Sequence, residues 1–202
     1  EIHPQGPPGL NIWIIPRADH HEQGLFAKQS MGEIGIPVLV GIRNALACFA
    51  GPSLRRWRKR GASAQAIGRT KGGRNTKVHA ISDEHCRPLA FYLTPGQTAD
   101  IKGAVMLGPC LPNARYLLAD KAYDADHWRD YLKSRRIRPV IPNKSNRKKP
   151  HPFNKTRYKG RNVIERMFGR LKDFRRVATR YDKNAENFLA ALCLAALICY
   201  WI

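Results

Sequence analysis

Acidic side chains are few in this chain, fifteen against thirty-six Lys and Arg, and between Ile34 and Ser82 there are none. That stretch therefore cannot give a carboxylate to a metal or to acid–base chemistry. Paired-cysteine signals are also missing. Cys48, Cys86, Cys110, Cys193 and Cys199 are odd in number and scattered, with no C-x-x-C pair. A structural zinc site is unsupported, and buried thiols in a reducing compartment are the simpler reading. The terminal apolar stretch, Phe188 to Ile202, has fifteen residues and falls short of the ~18–20 that a bilayer span needs. It reads as a helix covering the core, and no membrane partner is expected. No basic segment leads into a sustained apolar run at the start, so no signal peptide is expected. Position 1 is Glu rather than Met, as in a fragment or a processed product.

What the chain has in excess is positive charge. The formal net charge is +21 over 202 residues, and 43% of the residues are apolar. That is enough for one domain with a packed core plus an appendage. The cations cluster in Arg55-Arg56-Trp57-Arg58-Lys59-Arg60 and again from Lys144 to Lys159. Such density favours a polyanionic partner, because every neutralised phosphate releases a condensed counterion. The alternatives are a solvated charge run or a basic membrane-surface segment, and the overall +21 favours nucleic acid over both.

Residues 1–60 show no sustained period of 3.6 or 2 and no cap signals, and are poorly specified, either frame-shifted or disordered. From Gly61 the local signals agree. Gly68 to Gly73 reads as a basic, glycine-bearing loop. Thr76 to Ile81 and Leu89 to Leu93 read as strands joined by the polar turn Ser82-Asp83-Glu84-His85. A short helix follows at Ala99 to Leu107, then a buried-type strand from Arg115 to Asp120 and a helix from Ala125 to Arg135. Pro139 to Pro142 is a short strand and Asn143 to Gly160 a long basic loop. Two helices are predicted over 161–176 and 184–202. This order indicates a mixed α/β sheet over 61–202.

Tyr158, just before the first of these helices, and Arg161, Glu165 and Lys172 on it fall within about 60° of one another at the helical rotation. A carboxylate with a tyrosine and two cations on one stripe suits metal-assisted phosphate chemistry, since hard divalent cations prefer oxygen ligands. Asp120, closing the apolar run Tyr116-Leu117-Leu118-Ala119, is the best-placed second carboxylate. Taken singly, Glu165 is an i,i+4 partner of Arg161 worth about 0.2–0.5 kcal/mol, and Asp120 is a cap or a partner of Lys121. Together with the stripe and the excess charge, they read as a site. Arg161 and Lys172 suit the DNA backbone. Tyr158 reads equally well as a base-stacking or a packing residue. Lys77 and His79 alternate along one strand and read as its outer face, with Lys77 a candidate DNA contact. The other candidate contacts are Lys144, Arg147, Lys148, Lys149, Arg157 and Lys159. His20, His21 and His151 have no partners at a metal spacing. Gly68, Gly72 and Gly73 lack the G-K-[ST] ending of a nucleotide-binding loop.

Tyr158-x2-Arg161-x3-Glu165-x6-Lys172 resembles the Y-R-E-K signature of bacterial insertion-sequence transposases of the DDE class, insertion-sequence families four and five. The resemblance extends to Ala66-Ile67-Gly68-Arg69-Thr70-Lys71-Gly72-Gly73, Thr76-Lys77-Val78-His79-Ala80 and Leu93-Thr94-Pro95-Gly96-Gln97. It continues in Leu118-Ala119-Asp120-Lys121-Ala122-Tyr123-Asp124 and Ala178-Thr179-Arg180-Tyr181-Asp182-Lys183, and covers Ala64 to Ile202. It implies a ribonuclease-H-like fold, Mg²⁺ of the two-metal type, and cleavage and strand transfer of double-stranded DNA. The DNA would be the inverted-repeat ends of the element and its target, handled by a homo-oligomer in the bacterial cytoplasm at the nucleoid. Asp120 and Glu165 would be the second and third acids and the metal ligands. The resemblance also implies a first aspartate on the first strand. The expected region reads Ala45-Leu46-Ala47-Cys48-Phe49-Ala50-Gly51-Pro52-Ser53 and supplies none. The expectation is thus a transposase catalytic domain with an incomplete triad, inactive by itself, which a frame-shifted or truncated first segment would explain. The alternatives are a DNA-binding remnant or a basic RNA-binding structural protein.

Overall fold

The run Tyr116-Leu117-Leu118-Ala119 has no polar position, the mark of a strand buried on both faces. In the computed structural model of the chain it is β5 of a mixed sheet. The structure describes residues 11–17, 65–71 and 73–202. The strands are β1 (Asn11–Arg17), β2 (Gly68–Thr70), β3 (Gly73–Ser82), β4 (Pro88–Pro95), β5 (Tyr116–Ala119) and β6 (Arg138–Val140). β4 pairs antiparallel with β3, and β3 antiparallel with β1. β1 then pairs parallel with β5, and β5 with β6, while β2 folds back on the first residues of β3. The helices are α1 (Asp100–Leu107), α2 (Asp126–Ser134), α3 (Lys155–Tyr158), α4 (Asn162–Lys172), α5 (Arg175–Ala178) and α6 (Ala185–Tyr200). This is the helix-flanked mixed α/β sheet expected of a ribonuclease-H-like fold.

The pleat of β5 sorts the core into two halves. Tyr116 and Leu118 pack with Ile164, Met167 and Leu171 of α4 and with Phe188 and Leu192 of α6. Leu117 and Ala119 pack with Ala104 and Leu107 of α1 and with Trp128 and Leu132 of α2. Helices thus cover both sheet faces, which is why β5 carries no polar residue. Burying one such leucine contributes about 1.5–3 kcal/mol. α6 starts where the Asn184 side chain accepts the Glu186 amide, a cap worth about 1 kcal/mol. Among the described residues no helix is long and apolar enough to cross a membrane.

Several local expectations are corrected. Asn11–Arg17, in the stretch that shows no period, is the sheet's middle strand. Gly68–Thr70 is a short strand paired with Gly73–Asn75 of β3 rather than part of a loop, and Gly73, where β3 begins, takes a positive φ (+99°). The basic segment 143–160 is not a loop throughout: the Asn154 side chain accepts the Arg157 amide at 2.9 Å and starts α3. The helix expected over 161–176 stops at Lys172, because Phe174 takes extended backbone and packs against the core before α5 begins. Residues 45–53, Arg55–Arg60, Cys48, His20 and His21 lie outside the described residues.

Candidate active site

Asp120 directly follows β5, at the C-terminal end of the two parallel strands β5 and β6. Its Oδ1 accepts the Tyr158 hydroxyl at 3.0 Å and lies 3.2 Å from Arg161 Nη1. The other terminal nitrogen of Arg161 donates to Glu165 Oε1 at 2.8 Å. One guanidinium therefore ties the two carboxylates together. Tyr158 ends α3, Arg161 ends the 3₁₀ turn Lys159–Arg161, and Glu165 stands in α4. The four-residue stripe is thus broken into three helical pieces, yet Tyr158 and Arg161 meet Asp120, and Arg161 ties Glu165 to it. Tyr158 also meets Phe153 edge-on at 5.1 Å. Burial first, and the Asp120 charge second, push its hydroxyl up to about 12, so it stays a donor. Lys172 closes α4 seven residues after Glu165, about 10 Å further along the axis.

The turn after Asp120 is held from below. Tyr123 is fully buried, and its hydroxyl lies 3.1 Å from His79 Nδ1, while His79 Nε2 lies 2.8 Å from Thr94 Oγ1. Burial lowers the His79 imidazole to about 4, so it is neutral and one nitrogen donates while the other accepts. The outer-face reading of His79 is therefore wrong. α1 lies over that face, and Gly103 makes room: a Cβ there would sit 2.5 Å from the imidazole. Lys77, on the same face, donates to Asp100 Oδ1 at 2.7 Å and to the Thr98 carbonyl at 2.9 Å.

Four residues past Asp120, the Asp124 carboxylate is fully buried and shared. Arg129 Nε donates to Oδ1 at 2.8 Å, and Arg147 Nε and the Lys144 amide donate to Oδ2 at 2.7 and 2.8 Å. Burial pushes this carboxyl up, but those hydrogen bonds outweigh it and hold it at about 2. Arg129, itself buried, reaches on to the Ile141 carbonyl. Arg147 also donates to Asp126, which lies 3.1 Å from His151 Nε2. His151 is thus a partner of Asp126.

The remaining candidate DNA contacts divide. Lys148, Lys149 and Lys159 are exposed; Lys144 is half-buried; Arg157 lies over the Tyr116 ring at 4.1 Å. β1 runs beside β5 with Ile14 opposite Ala119, and the seven residues of β1 include no Asp or Glu. Among the described residues no group of three His, Cys, Asp or Glu is placed to hold a metal ion. Asp120 and Glu165 are both bonded to one arginine, Arg161. Sequence reasoning missed the Tyr123–His79–Thr94 chain and the Asp124 cluster. The only signal for the first was His79 sharing a strand face with Lys77; partners of Asp124 up to 23 residues away leave no local signal.

The chain is similar to several known proteins. A chain named as a transposase for insertion sequence element IS6501 from Brucella ovis is 35% identical over 121 residues, covering 59% of this chain and 93% of that one. One named as a transposase for insertion sequence element IS402 from Burkholderia cepacia is 28% identical over 158 residues, covering 73% of this chain and 72% of that one. A chain of the simian T-cell lymphotropic virus intasome, solved by cryo-electron microscopy with the PP2A regulatory subunit B56 gamma, is 17% identical with a TM-score of 0.37. It covers 67% of this chain and 46% of that one. The family model for the transposase DDE domain matches residues 48–202. The chain belongs to the DDE transposases of bacterial insertion sequences.

Proposed function

We propose that this transposase chain keeps the second and third acids of its triad, Asp120 and Glu165, and binds duplex DNA without cutting it. DDE transposases bind DNA and rearrange it by phosphodiester cleavage and strand transfer, generally with divalent metal ions. Asp120 and Glu165 are the residues that would hold such an ion, Mg²⁺ on the resemblance to the family. Tyr158 and Arg161 would fix their orientation, and Lys172 would meet the DNA backbone. The reading of lost cleavage is supported by β1, which runs parallel beside β5 with Ile14 opposite Ala119 and has no Asp or Glu among its seven residues. Without a first acid the ions that activate the attacking water are poorly held, and losing one positioned catalytic group costs orders of magnitude in rate. The inverted-repeat ends of the element and its target are the DNA expected, taken up by a homo-oligomer in the bacterial cytoplasm.

The charge of +21 predicts binding that weakens steeply with salt. Fluorescence anisotropy with a labelled duplex tests it. Binding should survive EDTA and Glu165→Gln. Binding that vanishes when the divalent ion is removed would contradict a site that has lost its metal chemistry.

A further inference from the structure

Between Asp130 and Glu165 the chain contains no acidic residue. The cations of this stretch therefore find their carboxylates elsewhere, and the structure shows where. One end of segment 144–159 is tied at Asp124, through the Lys144 amide and Arg147 Nε. The other end is tied at Asp120, through the Tyr158 hydroxyl. Both anchors sit on the same short turn after β5. Between the ties the segment is braced by a reciprocal pair: Asn143 donates to the His151 carbonyl at 2.9 Å and accepts the His151 amide at 2.9 Å. Lys148, Lys149, Lys155 and Lys159 are exposed along it.

We propose that segment 144–159 is a prefolded strap that grips the phosphate backbone of duplex DNA. Lys148, Lys149, Lys155 and Lys159 are its contacts, and Arg147 is an internal tie that touches no phosphate. The assignment rests on the DNA-binding reading above and adds to it a place and a division of labour. Holding ammonium groups on a fixed backbone lowers the ordering cost that a flexible basic tail meets on binding. Arg147 is spent on Asp124 and Asp126, and its side chain is only 12% exposed. Rigid presentation and bulk charge predict opposite results when a tie is cut. Asp124→Asn adds one positive charge to the protein. If charge alone governs binding, affinity rises; if the strap must be tied, affinity falls.

The experiment measures the affinity of the full chain for a 30-base-pair duplex across a salt series, with circular dichroism to verify folding. Lys148→Ala with Lys149→Ala should lower the slope of log affinity against log salt by about 2, and weaken binding roughly tenfold near physiological salt. Asp124→Asn should weaken binding several-fold despite its extra charge. Because that variant leaves buried Arg129 without its carboxylate, Arg147→Gln provides a second cut that keeps the Asp124–Arg129 pair intact. It should weaken binding more than Lys148→Gln, which removes the same charge from an exposed position. Folded Asp124→Asn or Arg147→Gln chains that bind as tightly as the parent overturn the strap, as does an unchanged salt slope in the double lysine variant. A parent chain that binds no duplex even at low salt overturns the DNA reading itself, and the strap with it.

Discussion

His79 makes the fold sensitive to mild acid. Its imidazole is fully buried between Tyr123 and Thr94 and binds a proton only near pH 4, against 6.5 for the free side chain. Between those values the unfolded chain holds more protons at this site than the native chain, so stability rises with pH across the window and is lost on acidification. The difference of 2.5 corresponds to about 3 kcal/mol, of the order of a fifth to a half of a typical domain's stability. For a chain this size that is a fall in melting temperature of about 6–12 °C. Urea denaturation followed by circular dichroism, repeated from pH 7.5 to 4, measures it directly. The parent should lose about 3 kcal/mol over that range; His79→Gln should be less stable at pH 7 but nearly flat over the same range. Asp124 does not confound the comparison, because its carboxyl titrates natively near 2 and its contribution is lost only below about pH 4. A His79→Gln chain with the parent's slope would show that the acid sensitivity arises elsewhere and that His79 is not held neutral.

Two other substitutions test the packing around the site. Gly103→Ala gains about 1 kcal/mol of helix propensity, but its Cβ meets the His79 ring at 2.5 Å, and overpacking costs about 1–3 kcal/mol. A net loss is expected, and it should shrink in a His79→Ala background when measured as a double-mutant cycle. Arg136 is exposed at the end of α2 with φ of +58°, where a side chain costs about 1 kcal/mol. Arg136→Gly should therefore raise the melting temperature by about 2 °C.

The parts of the fold that rest on local chemistry were legible in the sequence. Tyr116–Ala119 announced a doubly buried strand, and the helix expected from Ala125 to Arg135 is α2. The convergence of Tyr158, Arg161 and Glu165 was also legible, although for an inexact reason: the stripe argument assumes one regular helix, and a 3₁₀ turn interrupts it. Asn11–Arg17 was not legible. A seven-residue strand with a proline at position 16, paired on both sides, carries no alternation to read. His79 was misread because alternation along β3 marks two faces but not which of them a helix will cover. The Asp124 cluster joins residues 5 and 23 positions apart across a turn, a helix and a strand, and no periodicity encodes such a pairing.

The central proposal is that this DDE transposase chain binds DNA but lacks the first of the three carboxylates that cleavage needs. The most direct test incubates the purified chain with Mg²⁺ or Mn²⁺ and a labelled duplex carrying the element's inverted-repeat end, and resolves the strands on a denaturing gel. The account predicts a bound complex and no cut strand with either ion. A cut at the element end that disappears in Glu165→Gln would contradict it, and would mean that the site finds its missing carboxylate elsewhere.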